Sequence, residues 1–135
     1  YLKEIGVDAI LTDHHLPEAT LPEAEAIIHT TQLCGSTVAW FLARELNKEA
    51  AMNALDLAAI ATVADQMILL DANRSFVKYG VEALVRTKRI GLQLLLKKAD
   101  IDPSKVTTSS INYGIAPRIN AMGRLKHGPR CLKTS

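Results

Sequence analysis

Short apolar runs, each bounded by polar or turn-forming residues, divide the first thirty residues of the chain. Residues 7–11 form one such run between Gly6 and a polar cluster, and this pattern is typical of a buried parallel strand. Ala26–His29 predicts a second strand. Residues 1–5 predict the end of a helix, which Gly6 would terminate.

Helical periodicity dominates the rest of the chain, where apolar residues recur every three or four positions. The first predicted helix starts at Gly35 and carries Val38, Leu42 and Leu46 on one face. Pro117 is expected to break the last helix, because proline has no N–H to donate. The predicted helices cover residues 35–47, 48–68, 75–85, 90–99 and 111–115. Strands followed by helices indicate an α/β fold, in which helices flank a parallel sheet.

The composition is that of a soluble globular domain, with 48% hydrophobic and 22% charged residues in a chain of 135. No apolar run reaches the length of a membrane span, and no basic and apolar leader opens the sequence. Cys34 and Cys131 lie far apart without metal-ligand spacing, which indicates free thiols in a reducing compartment. We therefore expect a cytoplasmic protein without membrane contact.

The net charge of +2 conceals two oppositely charged regions. Residues 1–85 hold five Lys and Arg against twelve Asp and Glu, a charge of −7. Residues 86–135 hold eleven against two, a charge of +9. A basic region of this kind favours the binding of a polyanion. The alternative is a solvated basic face that binds no particular partner.

Three side chains able to bind a metal ion, Asp13, His14 and His15, follow the first predicted strand. Ligands of open α/β sheets lie beyond the carboxyl ends of the strands, so these residues mark a candidate site. Adjacent histidines project to opposite sides of an extended backbone, and we expect one to bind metal and the other to face substrate. Asp13 is either a direct ligand or a carboxylate that orients a ligating histidine. A solvent-exposed polar turn is the alternative interpretation.

Two aspartates interrupt the long apolar run between residues 55 and 70. An ionised carboxylate is costly to bury unless it is paired or bound to a metal ion. Asp65 is therefore predicted to be a metal ligand, whereas Asp56 is expected to have a local partner or a solvated position. His29, at the end of the second strand, is expected to be a hydrogen-bonding residue rather than a third metal ligand.

Several residues are candidates for phosphate contact, each with a structural alternative. Gly35 permits a phosphate to approach the N–H groups at a helix start, although a plain helix N-terminus is the simpler explanation. Arg74 is expected either to orient a carboxylate or to contact phosphate, and the alternative is an ordinary surface arginine. Arg118 and Arg124 supply bidentate donors, and Asn120 supplies a further hydrogen bond, unless this segment is only a cap and a turn.

Four stretches of the chain resemble, in the same order, motifs of the DHH phosphoesterase superfamily. They are Thr-Asp-His-His at residues 12–15 and the stretches at residues 34–40, 61–65 and 116–125. The last stretch is similar to the Pro-Arg-Ile-Asn-Ala-x-Gly-Arg motif of members that degrade single-stranded DNA in the 5′-to-3′ direction. The resemblance covers nearly the whole chain and implies a phosphoester-cleaving site with two divalent metal ions.

The resemblance also implies roles for individual residues. His14 and Asp65 would bind manganese or magnesium, Asp13 would bind the metal or orient a ligand, and His15 would contact the phosphate during catalysis. The residues implied in holding the DNA backbone are Arg118, Asn120 and Arg124. Residues 1–86 would be the later part of the catalytic domain, and residues 87–135 a helical connector. Single-stranded DNA is the implied substrate, with replication or repair proteins as further partners.

Two superfamily motifs are absent from these residues. One is the Asp-x-Asp motif that lies upstream of the DHH stretch in the superfamily and supplies further metal ligands, and the other is a glycine-rich motif of the C-terminal domain. The two-metal site is therefore incomplete, and we expect the chain alone to be inactive or very weak. Three alternatives are open. They are another DHH enzyme, acting on short oligonucleotides, cyclic dinucleotides or pyrophosphate; a non-catalytic nucleic-acid-binding relative; and an unrelated α/β domain.

Overall fold

The computed structural model describes residues 1–17 and 20–125, which form a two-stranded parallel sheet followed by helices. This arrangement confirms the predicted α/β fold. The strands are β1 (Ile10–Asp13) and β2 (Ala26–His29), and the helices are α1 (Gly35–Leu46), α2 (Lys48–Met52), α3 (Leu55–Ala64), α4 (Asp71–Val85), α5 (Ile90–Lys98) and α6 (Ala116–Leu125). A 3₁₀ turn at Pro103–Lys105 and a π-helical segment at Ser110–Ile115 precede α6. No helix in the described ranges is long and apolar enough to cross a membrane.

The two strands pair in parallel, with Ile10 opposite Ala26 and Asp13 opposite His29. β2 has the predicted bounds. Because both strands run in the same direction, their carboxyl ends meet at one end of the sheet. The polar side chains that follow β1 therefore lie beside the end of β2.

The segment before β1 differs from the prediction. Residues 1–5 form turns rather than a helix, and β1 begins at Ile10 rather than at residue 7. Gly6 has a φ of +69°, a left-handed conformation that glycine adopts without steric cost. The N–H of Val7 donates to the carbonyl of Leu2 at 2.9 Å. The hydrogen bond between Val7 and Leu2 closes a turn. The chain therefore enters the sheet later than the apolar pattern indicated.

The long helix predicted after α1 is instead two helices, α2 and α3. Asn47 separates α1 from α2 and caps α2 with its side-chain oxygen. The carbonyl of Ala51 accepts a hydrogen bond from the indole N–H of Trp40. In a continuous helix that carbonyl would accept the N–H of Leu55. At the point where the helix breaks, that carbonyl therefore bonds to Trp40 and to the N–H of Ala54, at 2.9 Å, instead of to Leu55.

The main apolar core joins α3, α4, α5 and the π-helical segment. Its buried members are Ile60, Val63, Val77, Leu84, Leu92, Leu96, Val106, Ile111 and Ile115. α3 and α4 pack closely because Gly80 has no side chain: a Cβ there would lie 2.3 Å from the Cβ of Ala59. The predicted apolar face of α1 is covered only in part, since Val38 is buried but Leu46 is 81% exposed. The core continues across residue 86, and the domain boundary expected there stays a prediction.

Asp56 ties α3 to the segment before α5. Its buried carboxylate accepts the backbone N–H of Leu57 at 2.8 Å and the hydroxyl of Thr87 at 2.9 Å. Nε of Arg89 donates to the same carboxylate at 3.2 Å. The expected local partner is present, but the position is not solvated. Two of the partners come from a distant part of the chain, which the sequence pattern did not reveal.

Helical structure continues through Pro117, which was expected to break it. In the π-helical segment the hydrogen bonds span five residues, and the N–H of Ala116 donates to the carbonyl of Ile111. Pro117 is then the second residue of α6, in a first turn that tolerates a missing N–H. Nη1 of Arg118 donates to the carbonyl of Gly114 at 2.6 Å, which supports the junction from the side.

Candidate metal centre

Asp13, the last residue of β1, fixes the orientation of His15. Oδ1 of Asp13 lies 2.7 Å from Nδ1 of His15 and 3.3 Å from the backbone nitrogen of His15. The hydrogen bond with the His15 side chain is the main cause that lowers the pKa of Asp13 to about 2, so the carboxylate is ionised at neutral pH. Because a carboxylate only accepts hydrogen bonds, Nδ1 carries a proton. In a neutral imidazole, Nε2 of His15 keeps a lone pair, which suits a metal ion, whereas in an imidazolium Nε2 donates, which suits a phosphate oxygen.

His29, the last residue of β2, fixes the backbone of the same histidine. Its Nε2 lies 2.7 Å from the carbonyl oxygen of His15, and since a carbonyl only accepts, Nε2 is the donor. The N–H of Thr30 donates to the carbonyl of Asp13 at 3.3 Å. His29 is thus a hydrogen-bonding residue, which confirms its prediction. The two strand ends together hold the Asp-His-His corner in place.

His14 lies against the start of α1. A Cβ added to Gly35 would be 3.1 Å from Cδ2 of His14 and 3.5 Å from Nε2, so the absence of a side chain leaves room for the imidazole. The rings of His14 and His15 are 4.4 Å apart between centroids and tilted by 44°. Gly35 therefore permits a close approach of the His14 side chain, and the phosphate contact expected at Gly35 stays a prediction.

Asp65 lies at the C-cap of α3 and is exposed. Asp65 was predicted to be a ligand because it was expected to be buried, and that expectation is wrong. Helix α3 ends one residue before Asp65, and the buried carboxylate is that of Asp56. A negative charge at a helix C-terminus is unfavourable with the helix dipole unless a cation neutralises it. Sγ of Cys34 lies 3.8 Å from Oγ1 of Thr62, one turn before Asp65, so the end of α3 neighbours the start of α1.

The predicted phosphate-binding side chains lie on α4 and α6. Arg74 is exposed in the first turn of α4, and Asn120 is exposed on α6. Arg118 is exposed apart from its bond to the Gly114 carbonyl. Arg124 belongs to the last turn of α6, but its side chain lies outside the described part of the structure. Both the π-helical segment and α6 pack against α3. Arg118 therefore lies on a helix that neighbours α3, the helix with Asp65 at its C-cap.

Asn73 links the two loops around this centre and was missed by the sequence reasoning. Its side chain is 5% exposed, and Nδ2 donates to the carbonyl of Gln32 at 2.8 Å and to that of Ile68 at 3.0 Å. Gln32 lies just before α1, and Ile68 lies between α3 and α4. Among the described residues, Oδ1 of Asn73 has no partner. No sequence signal indicated this tie, because residues 71–74 fit an ordinary turn and cap.

The ligand set is incomplete. Across residues 1–17 and 20–125, no group of three His, Cys, Asp or Glu side chains lies close enough to hold one metal ion. The residue types at the Asp-His-His corner and at Asp65 are nevertheless those that divalent manganese accepts, namely imidazole and carboxylate. The described residues thus offer candidate metal ligands but no complete metal site.

No family model matches the chain. The single-stranded-DNA-specific exonuclease RecJ of Bacillus subtilis is 41% identical over 133 residues, which cover 92% of this chain and 17% of that protein. RecJ of Escherichia coli is 34% identical over 151 residues, covering 93% of this chain and 26% of that protein. RecJ of Thermus thermophilus is 34% identical over 143 residues, covering 98% of this chain and 21% of that protein.

Two crystal structures show the same fold. RecJ from Thermus thermophilus in complex with Mn²⁺ is 31% identical with a TM-score of 0.83, over 98% of this chain and 22% of that one. A structure of exonuclease RecJ bound to manganese gives the same identity and TM-score over 36% of its chain. The fold and the Asp-His-His corner define the chain as DHH phosphoesterase-like.

Within that class the chain is RecJ-like over nearly its whole length. It spans between 17% and 26% of the length of the curated relatives.

Proposed function

We propose that this chain is part of a metal-dependent exonuclease that hydrolyses phosphodiester bonds of single-stranded DNA in the 5′-to-3′ direction. The observation that carries the proposal is the joint match in sequence and fold to RecJ over 98% of the chain, including the Asp-His-His corner. The other DHH activities, on short oligonucleotides or cyclic dinucleotides, have no comparable support, since the relatives described above are RecJ exonucleases.

His14 and Asp65 are the proposed ligands for manganese or magnesium. His14 is packed against Gly35, and Asp65 is exposed at a helix C-terminus where a cation is favourable. A divalent ion bound there would bind phosphate oxygens and lower the pKa of the attacking water. Further carboxylates are required for a second ion, and the described residues do not supply them. Isolated, the chain is therefore expected to be inactive.

His15 is the proposed phosphate contact, with Asp13 as its orienting residue. The 2.7 Å contact between Oδ1 of Asp13 and Nδ1 of His15 leaves Nε2 directed away from the carboxylate. His29 holds the backbone of His15 from the neighbouring strand. A ring held by Asp13, on a backbone held by His29, loses little entropy when it binds phosphate, and this preorganisation favours catalysis. The carboxylate of Asp13 is also a suitable metal ligand, and metal binding is the second role proposed for Asp13.

The basic region and the starts of two helices supply the proposed contacts to the DNA backbone. Arg118, Asn120 and Arg124 lie along α6, and Arg74 and Gly35 lie at the starts of α4 and α1. Guanidinium groups bind phosphate oxygens in a bidentate manner, so the arginines would position the strand without reading its sequence. The similarity to RecJ supports a cytoplasmic location, and it supports replication or repair proteins as partners.

Manganese binding by the chain tests the metal proposal. We expect calorimetry to show weak binding that is lost in Asp65→Ala, because a partial ligand set binds with low affinity. Asp8→Ala is the matched control, since Asp8 is exposed before β1 and outside the centre. Binding that is unchanged in Asp65→Ala would refute the assignment of Asp65 as a ligand.

A further inference from the structure

A small cavity lies between the end of α3 and the π-helical segment. Its volume is about 270 Å³. Its apolar side is formed by Val63, Met67 and Leu69, and its polar side by Gln66, Thr108, Ser109 and Asn112. Tyr113, whose side chain is 78% exposed, completes the lining. We call this space the Tyr113 cavity. It combines an apolar surface, amide groups and an aromatic ring that is free to receive a ligand.

The Tyr113 cavity adjoins the candidate metal centre. Gln66, one of its lining residues, directly follows Asp65 in the chain. On the other side, the segment that carries Tyr113 continues into α6, which bears Arg118 one turn further along. A strand whose phosphate is held between a metal ion at Asp65 and the guanidinium of Arg118 would therefore present a neighbouring base to this cavity.

We propose that the Tyr113 cavity is a subsite for one nucleoside of single-stranded DNA, with the base stacked on Tyr113. This inference rests on the proposed exonuclease function and adds a reason for strand selectivity. Every base has a π face, so stacking on an aromatic ring tolerates any sequence. The amides of Gln66 and Asn112 both donate and accept, so they can pair with the edges of different bases.

The size and shape of the cavity favour a single unpaired nucleoside. Its volume is slightly below the range of about 300–1,000 Å³ that is typical of pockets for whole small ligands. A base in a duplex is already stacked and paired, and it would have to leave the helix to reach Tyr113. The π-helical segment that carries Tyr113 supports a functional role, because such segments are rare and are frequent at functional sites.

The test compares Tyr113→Ala with two other variants of the chain. The probe is a fluorescent oligothymidylate, and a second strand of equal length carries abasic sites in place of bases. Tyr113→Ala should weaken binding of oligothymidylate by about 5- to 150-fold, which is the usual loss of one stacked base. Tyr113→Phe should bind like the unsubstituted chain, because the ring is retained.

Tyr79→Ala is the matched control, since Tyr79 is 52% exposed on α4 and lines a different groove. It should leave both affinities unchanged. Binding of the abasic strand should be nearly the same in Tyr113→Ala as in the unsubstituted chain, and the salt dependence should not change, because no charge is removed. Circular dichroism of each variant confirms that the fold is intact.

Two results would overturn the proposal, and they are distinguishable. If Tyr113→Ala lowers the affinity for the abasic strand as much as that for oligothymidylate, or lowers neither affinity, a base-stacking subsite is excluded. The exonuclease proposal would stay in place. Failure of the unsubstituted chain to bind any single strand would refute the nucleic-acid function itself, and the subsite with it.

Discussion

Replacing Arg89 with alanine should destabilise the chain, because it removes a partner from a buried charge. Asp56 has a side chain that is 5% exposed, and its carboxylate is held by Nε of Arg89 at 3.2 Å. Arg89 also donates through Nη2 to the carbonyl of Asn53 at 3.0 Å. The substitution therefore breaks an ion pair and a second hydrogen bond between the start of α5 and the start of α3.

The expected loss follows from how much of the pair is buried. Removing one partner of a fully buried pair costs about 3–5 kcal/mol. Here the side chain of Arg89 is 43% exposed, and the carboxylate keeps the hydroxyl of Thr87 and the N–H of Leu57. We therefore expect a smaller loss, about 1–3 kcal/mol in the free energy of unfolding.

Urea denaturation of single and double variants measures this coupling. In a chain that already carries Asp56→Asn, the Arg89→Ala substitution should cost less, because no unpaired charge is left behind. Lys105→Ala is the control, since Lys105 is 83% exposed and lies 4.0 Å from Asp102. It should change stability by less than about 0.5 kcal/mol. An Arg89→Ala variant as stable as this control would refute the reasoning.

Three further substitutions test other parts of the structure. Gly80→Ala should destabilise the chain by about 1–3 kcal/mol or more, measured by thermal unfolding, because a Cβ would lie 2.4 Å from the carbonyl oxygen of Leu55. Asn73→Ala should cost about 1–3 kcal/mol in urea denaturation, since the carbonyls of Gln32 and Ile68 each lose a donor; unchanged stability would contradict the tie. Arg118→Ala should reduce the slope of log affinity against log salt by about 0.7 for every single-stranded sequence. An unchanged slope would argue for a purely structural Arg118.

Local patterns were sufficient for elements with clear boundaries. β2 was predicted residue by residue, because its apolar run ends at a histidine, and α5 differs from its prediction only at the last residue. The predictions failed where a distant contact decides the outcome. No periodicity shows that Trp40 will bond to the carbonyl of Ala51. The π-helical bonding that accommodates Pro117 is equally invisible to a search for helix breakers.

The arrangement of the candidate site could be predicted only in part, for the same reason. The residues of the Asp-His-His corner can be recognised by their chemistry at the end of a strand, and the structure adds that Asp13 and His29 orient His15. The apolar run provided no means of deciding which of its two aspartates is buried, because that depends on where α3 ends. Asn73 carried no signal, since its two acceptors are backbone carbonyls that the sequence cannot display.

A chimera tests the central proposal most directly. The 133-residue segment of Bacillus subtilis RecJ that matches this chain would be replaced by the corresponding residues of the chain. The assay is manganese-dependent release of nucleotides from a 5′-labelled single strand. We expect the chimera to be active, Asp65→Ala to abolish hydrolysis while single-stranded DNA binding persists, and Asp8→Ala to retain activity. A folded chimera that binds the strand but does not hydrolyse it, or one that stays active with Asp65→Ala, would contradict the account.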